Sequence, residues 1–182
     1  MMLNMVEKRR SIRKYLDQPV AEEKLRQILE SGRLAPSGSN TQPWRFIVVT
    51  SPEKRRQLAE VSHQQQWMTT APVFIVCVAD SRCRLPAGEV DIDESSPLPE
   101  VKMIIRDTAI AVEHMALEAE NQGLGSCWVA WFVQREIRPL LNLPSDKYVV
   151  AILTVGYAAE QPAPRPRKAR EEIVCYETWH EV

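Results

Sequence analysis

Two rhythms of apolar residues alternate along this chain. Steps of three and four mark helices. One covers about 21–31, with Leu25, Ile28 and Leu29 on one side and Gly32 placed to stop it. A longer one covers 100–122, where Ile105, Ala109, Val112, Ala116 and Ala119 form a stripe of small and branched side chains. Ala109, Ala111, Ala116 and Ala119 leave room for a second backbone, so this helix is either the centre of the core or a subunit interface. Short helices are predicted over 4–10 and 134–141. Another opens at Ser51-Pro52-Glu53, an N-cap residue followed by proline in the first turn.

Strand rhythm appears elsewhere. Trp44, Phe46 and Val48 alternate with Arg45, Ile47 and Val49, which predicts a strand covered on both faces. The near-continuous run over 73–79 (VFIVCVA) predicts a central strand, and 147–157 (KYVVAILTVGY) a second buried one, with a short aromatic segment at 126–132. The order is helix, helix, strand, helix, strand, long helix, strand, without a strict βαβ repeat. That order favours an α+β sandwich, and 182 residues suit one domain over 1–182.

The connections carry their own signals. Residues 35–43 (APSGSNTQP) are a proline-bounded loop of small polar residues running into the 44–49 strand. Such a loop offers a ligand bare backbone amides and the short side chains of Ser37, Ser39, Asn40 and Gln42, on a rigid support. Residues 80–99, broken by Pro86, Gly88, Pro97 and Pro99, read as a long exposed loop of the kind that forms mobile lids or functional segments. The tail 158–182, rich in proline and arginine before Ile173, Val174, Tyr176 and Trp179, is either a flexible end or an arm that wraps a partner subunit.

Composition narrows the chemistry. No tract is long and apolar enough to span a bilayer and no leader is evident, so a cytoplasmic protein without a membrane partner is expected. Cys77, Cys83, Cys127 and Cys175 lack metal or disulfide spacing and read as reduced thiols, with Cys127 a packed small residue; no metal site is expected. The net charge of −1 argues against nucleic acid. Arginines outnumber lysines 16 to seven, and they cluster at Arg9-Arg10-Ser11-Ile12-Arg13-Lys14 and Arg165-Pro166-Arg167-Lys168. If Arg9, Arg10 and Arg13 converge with Arg165 and Arg167, a phosphate dianion would gain several charge-assisted hydrogen bonds, with a hydroxyl from Ser11. The alternative is that these are solvated surface arginines. His63, His114 and His180 stand isolated, no nucleophile–base grouping shows in the spacing, and glycine-rich phosphate fingerprints are absent.

Four motifs occur in order: Arg-Arg-Ser-Ile-Arg-Lys-Tyr (9–15), Ala-Pro-Ser-Gly-Ser-Asn-Thr-Gln-Pro-Trp-Arg-Phe (35–46), Gly-Leu-Gly-Ser-Cys-Trp (123–128) and Val-Gly-Tyr (155–157) followed by Pro-Arg-Pro-Arg (164–167). Together they resemble the nitroreductase family of flavoproteins over nearly the whole chain. The resemblance implies a mostly antiparallel sheet flanked by helices, in an intertwined homodimer with FMN between the subunits. It further implies that Arg9, Arg10, Arg165 and Arg167 hold the phosphate, that Ser11 assists there, and that Arg13 faces the pyrimidine edge. Pro36, Ser37, Gly38, Asn40 and Gln42 would come from the opposite chain.

Where the family commonly has paired glycines whose backbone approaches flavin N5, this chain reads Val129-Ala130-Trp131-Phe132, which sets a large aromatic near the substrate face. Gln64 and Trp67 fall in the region that often contacts the pyrimidine ring. The implied activity is hydride transfer from NADH or NADPH through FMN to a nitroaromatic, quinone or similar planar acceptor, with the hard chemistry supplied by the cofactor. Reductive dehalogenation, dehydrogenation, or a non-enzymatic flavin-binding or sensing role on the same scaffold are the alternatives.

Overall fold

The computed structural model describes residues 2–86, 91–96 and 98–179; Gly88, Pro97 and residues 180–182, which belong to the loop and tail expectations above, lie outside them. Elements follow the order α1 (Met2–Lys8), α2 (Glu22–Arg33), β1 (Trp44–Val49), α3 (Pro52–Val61), β2 (Val73–Asp80), α4 (Pro99–Asn121), β3 (Gly125–Val129), α5 (Gln134–Leu140) and β4 (Lys147–Gly156). Among the described residues the four strands make one antiparallel sheet in the order β1-β2-β4-β3. The expected α+β sandwich, a mostly antiparallel sheet flanked by helices, is the architecture found. No helix among these residues is long and apolar enough to cross a membrane.

β2 is buried along nearly its full length because both of its faces are covered. Phe74, Val76 and Val78 join Leu58, Met68 and Ile137 on the side of α3 and α5. Val73, Ile75 and Cys77 join Ile28, Val112, Met115 and Ala119 on the side of α2 and α4. Alternate residues of one strand thereby serve two cores, each buried side chain contributing roughly 1.5–3 kcal/mol.

Three expectations need correction. Among the described residues β1 pairs only with β2 and is an edge strand, and Arg45 and Val48 are exposed rather than covered. Gly32 does not stop α2, which runs to Arg33. A Cβ at Gly32 would stand 2.8 Å from Met115 Cγ, so this glycine is where α2 and α4 touch. The buried stripe of α4 keeps the expected Val112, Ala116 and Ala119 but departs from expectation in its N-terminal half. Ile104, Thr108, Ala111, Val112, Met115, Ala116 and Ala119 face the interior, while Ile105 and Ala109 are only half-buried. The N-cap at Ser51 is as expected, its Oγ accepting from the Lys54 N–H at 3.4 Å.

The segment 11–16 is bonded to the neighbouring strands β3 and β4 at one end of this sheet. Ser11 bridges Ser126 in parallel fashion, Ile12 N–H donates to Ser126 O at 3.0 Å, Leu16 N–H to Tyr157 O at 2.9 Å, and Ala159 N–H returns to Lys14 O at 2.9 Å. Gly125 and Gly156 are direct partners across β3 and β4. A Cβ at the first would sit 2.7 Å from Ile12 Cγ1, and at the second 2.9 Å from Tyr15 Cδ1 and 2.5 Å from Pro72 Cδ. Bare backbone at this pair lets the segment lie flat on the sheet.

Tyr15 pins it. Its hydroxyl is bonded to Ile12 O at 2.7 Å and to Thr154 Oγ1 at 2.8 Å, and burial pushes the phenol well above its ordinary range. A raised folded value means that this contribution is complete below the unfolded tyrosine's value of about 10 and is lost as pH rises further. Tyr15→Phe is expected to lower stability by about 1–3 kcal/mol at pH 8 and to flatten the decline above pH ~10. Denaturant melts of both proteins at pH 8 and in the alkaline range check it; equal alkaline slopes would refute the assignment.

Candidate functional site

Because 11–16 is held beside the strand that leaves β4, the arginines on either side of it meet. A cavity of about 770 Å³ is lined by Arg9, Arg10, Ser11 and Arg13 from the N-terminal segment and by Glu160, Arg165 and Arg167 from the C-terminal one, with Val6, Glu7 and Pro162–Pro164 completing it. Five guanidiniums face two carboxylates there, a cationic surplus in a hollow whose size suits a small molecule. Arg13, Arg165 and Arg167 are exposed and Arg9 and Arg10 half-buried, so these arginines are gathered in one place and at the same time solvated.

Local bonds orient the groups. Arg10 Nη1 donates to Glu7 O at 2.6 Å and Arg9 O at 2.9 Å, the C-terminal end of α1, where helix carbonyls favour a cation. Arg9 Nε stands 3.9 Å from Glu113 on α4. The Arg13 N–H donates to Glu160 Oε1 at 2.5 Å, and its guanidinium lies 5.7 Å from the centroid of Trp67, a cation–π arrangement. Glu7 and Glu160 were not foreseen from sequence, since nothing in their spacing marks them.

Trp131, just past β3, is 66% exposed and stacks on His63 with ring centroids 4.1 Å apart and planes at 23°. His63 looked isolated in the sequence and acquires this neighbour only through the fold. His63 and Trp67 flank one short turn, so a single segment carries an aromatic contact to Trp131 at one end and to Arg13 at the other. Val129 ends β3 in the core, and Ala130 follows it exposed.

The loop at 36–42 lies apart. None of Pro36, Ser37, Gly38, Asn40, Gln42, Val129, Ala130 or Trp131 lines the arginine cavity within this chain. Gly38–Asn40 form one 3₁₀ turn, and Ser39, Asn40 and Gln42 hold φ values of 54°, 54° and 48°. The expectation of bare amides fails for most of this loop. Gly38 N–H goes to Asp107 Oδ2, Asn40 N–H to Ser37 O, Thr41 N–H to Gly38 O and Gln42 N–H to Ser37 Oγ. The loop spends those amides on its own shape, so Ser39, Asn40 and Gln42 present mainly side chains, all three exposed.

Cys127 is buried and its thiol is pushed up, first by burial, with Arg13 acting in the opposite sense, so it is a poor nucleophile at neutral pH. Among the described residues no cluster of His, Cys, Asp and Glu could hold a metal ion.

An α+β sandwich with a preformed cationic cavity at the exit of its sheet defines the class of protein. The chain belongs to the nitroreductase family, whose family model matches residues 6–157. It is 33% identical to a protein of Thermus thermophilus named NADH dehydrogenase, over 93% of this chain and 92% of that one. It is 32% identical to the FMN reductase (NAD(P)H) of Bacillus subtilis, over 93% of this chain and 71% of that one. Among solved structures, the NADPH:FMN oxidoreductase from Vibrio harveyi complexed with NAD+ superposes with a TM-score of 0.87 at 26% identity, covering 100% of this chain and 79% of that one.

The cavity predicts anion binding that does not depend on any particular cofactor. Inorganic phosphate at ten times its dissociation constant should raise Tm by about 3–6 °C over chloride of equal ionic strength. Arg10→Ala and Arg165→Ala should each remove most of that shift in thermal scans. An undiminished shift in both variants would place the anion elsewhere.

Proposed function

We propose that this chain is an NAD(P)H-dependent FMN oxidoreductase that passes electrons to a nitroaromatic, quinone or similar planar acceptor. The observation that carries the reading is the gathering of Arg9, Arg10, Arg13, Arg165 and Arg167 around one cavity, in a chain of this family. That donor set suits a phosphate monoester, and Ser11 adds a hydroxyl. Relatives named as an FMN reductase and as an NADPH:FMN oxidoreductase support the choice of FMN and of a nicotinamide donor.

When bound, FMN supplies the hydride chemistry. The chain's part is to bind, orient and bias. Arg9, Arg10, Arg165 and Arg167 would hold the phosphate. Arg13, braced on Trp67 and by its N–H bond to Glu160, would bring positive charge to the ring as it takes up negative charge. The backbone of Val129, Ala130 and Trp131 would lie along the ring, and the exposed indole of Trp131 would give a flat acceptor a surface to stack on.

The functional unit in this reading is a homodimer. The 36–42 loop and the arginine cavity do not meet within one chain, so a second copy would bring Ser37, Gly38, Asn40 and Gln42 to the cofactor. Ile173, Tyr176 and Trp179 are 65%, 72% and 84% exposed, apolar surface of the kind a second copy would cover. A second reading, a flavin-binding protein with little turnover, draws on the same Trp131–His63 stack, which narrows the approach to the ring.

Purified protein should be yellow, dimeric by light scattering, and bleached by NADH or NADPH under anaerobic conditions. Colourless protein that does not take up added FMN would refute the reading. Trp131→Ala separates the two roles. If the indole is a platform, KM for a quinone rises about two- to tenfold, the worth of an aromatic pair. If the indole is an obstruction, turnover rises instead. Steady-state assays with quinone, nitroaromatic and halogenated acceptors define the acceptor class.

A further inference from the structure

We propose that Arg84 and Asp107 are positioning residues that set the shape of the 36–42 loop by gripping Gly38 from both sides of its backbone, and thereby set the affinity for the cofactor. The proposal rests on the reading above, in which this loop faces FMN.

Asp107, on α4, has a side chain only 4% exposed, and Arg84, four residues beyond the end of β2, one that is 14% exposed. Burying two such charges is unfavourable unless geometry and hydrogen bonds compensate. Their own separation is not what compensates, because Arg84 Nη2 and Asp107 Oδ2 are 3.8 Å apart. The short contacts go to the loop. Gly38 N–H donates to Asp107 Oδ2 at 3.1 Å, and Arg84 Nη2 donates to Gly38 O at 2.8 Å. Arg106 Nε, on an exposed side chain 3.9 Å from Asp107 Oδ1, adds little. Arg84 Nε is buried without a hydrogen-bond partner, so the guanidinium is placed for Gly38 rather than for full satisfaction of its own donors.

The loop requires such a grip. Ser39, Asn40 and Gln42 all hold left-handed backbone, which Asn tolerates and Ser and Gln rarely adopt; such residues persist only when their surroundings over-determine them. A Cβ at Gly38 would meet Arg84 Nη2 at 2.7 Å, so any side chain there would push the guanidinium out of its grip. The clamp also ties the loop to three elements at once: the entry to β1, the exit of β2 and the centre of α4. Exposed Ser39, Asn40 and Gln42 are thereby displayed in one arrangement before any ligand arrives, which spares the ordering entropy on binding.

The test uses Arg84→Gln, Arg84→Lys and Arg84→Ala in full-length protein, with Arg138→Ala as control. Arg138 is a comparably buried arginine that holds Asp91, Ile92 O and Ser145 O and does not touch the loop. Two quantities are read well below each Tm: hydrogen exchange of the Gly38 amide in flavin-free protein, and the FMN dissociation constant from quenching of flavin fluorescence. Arg84→Gln and Arg84→Ala should speed exchange and weaken FMN binding by about tenfold, the low end for one charge-assisted hydrogen bond. Arg84→Lys, which keeps charge and a donor, should recover most of both.

Arg138→Ala should lower Tm while leaving both quantities as in the wild type. Should Arg84→Ala not fold, the Gln and Lys pair decides. Exchange and FMN affinity within twofold of wild type in Arg84→Gln would overturn the clamp. Wild-type protein that holds no FMN would overturn the functional reading, and the cofactor half of the proposal with it.

Discussion

Everything at the candidate site depends on six residues of extended chain, 11–16, being hydrogen-bonded at one end to β3 and at the other to the strand leaving β4. Five guanidiniums repel one another, and left to electrostatics they would spread. Backbone bonds, the Tyr15 hydroxyl and the bare Gly125–Gly156 pair hold them together instead. The unfavourable crowding is met by folding, so an arriving dianion finds its partners already placed. That is why a cavity with a cationic surplus persists in a chain whose net charge is −1.

The same constraint explains the motifs. The glycines of Gly-Leu-Gly and Val-Gly-Tyr do not line the cavity; Gly125 and Gly156 lie against Ile12 and the ring of Tyr15. Their role is steric and indirect. The 9–15 segment, by contrast, splits its residues between two tasks, with Ile12 and Tyr15 turned into the core and Arg9, Arg10, Ser11 and Arg13 toward the cavity. Two apolar anchors three residues apart, with cationic side chains before and between them, are the physical content of that motif.

Legibility in the sequence follows the range of the interaction. The helices of 2–8, 22–33 and 99–121 and the strands of 73–80 and 147–156 could be read because periodicity and capping are local. The edge position of β1 could not, because an alternating apolar strand looks alike at an edge and in the middle until its neighbours are known. Gly32 misled for a similar reason: a glycine near a helix end can stop the helix or admit another helix, and only Met115 decides. The stack of His63 on Trp131 and the capture of the Gly38 amide by Asp107 are wholly tertiary. The arginine clusters were visible in sequence, and whether they converged was a question of topology.

The separation of the 36–42 loop from the arginine cavity has a thermodynamic consequence in the dimeric reading. If the cofactor touches both surfaces, then FMN binds the paired chains more tightly than the single chain, and by linkage FMN must strengthen the pairing by the same factor. The two surfaces are also built differently. The cavity is cationic, and its C-terminal wall, including Arg165 and Arg167, lacks helix or strand, whereas the loop is tied to three elements through Gly38. In the dimeric reading one chain's loop would fix where the ring lies while the other chain's cavity would hold the phosphate. In that reading long-range attraction would bring the anionic tail to the arginines first, and the loop would select the orientation that remains.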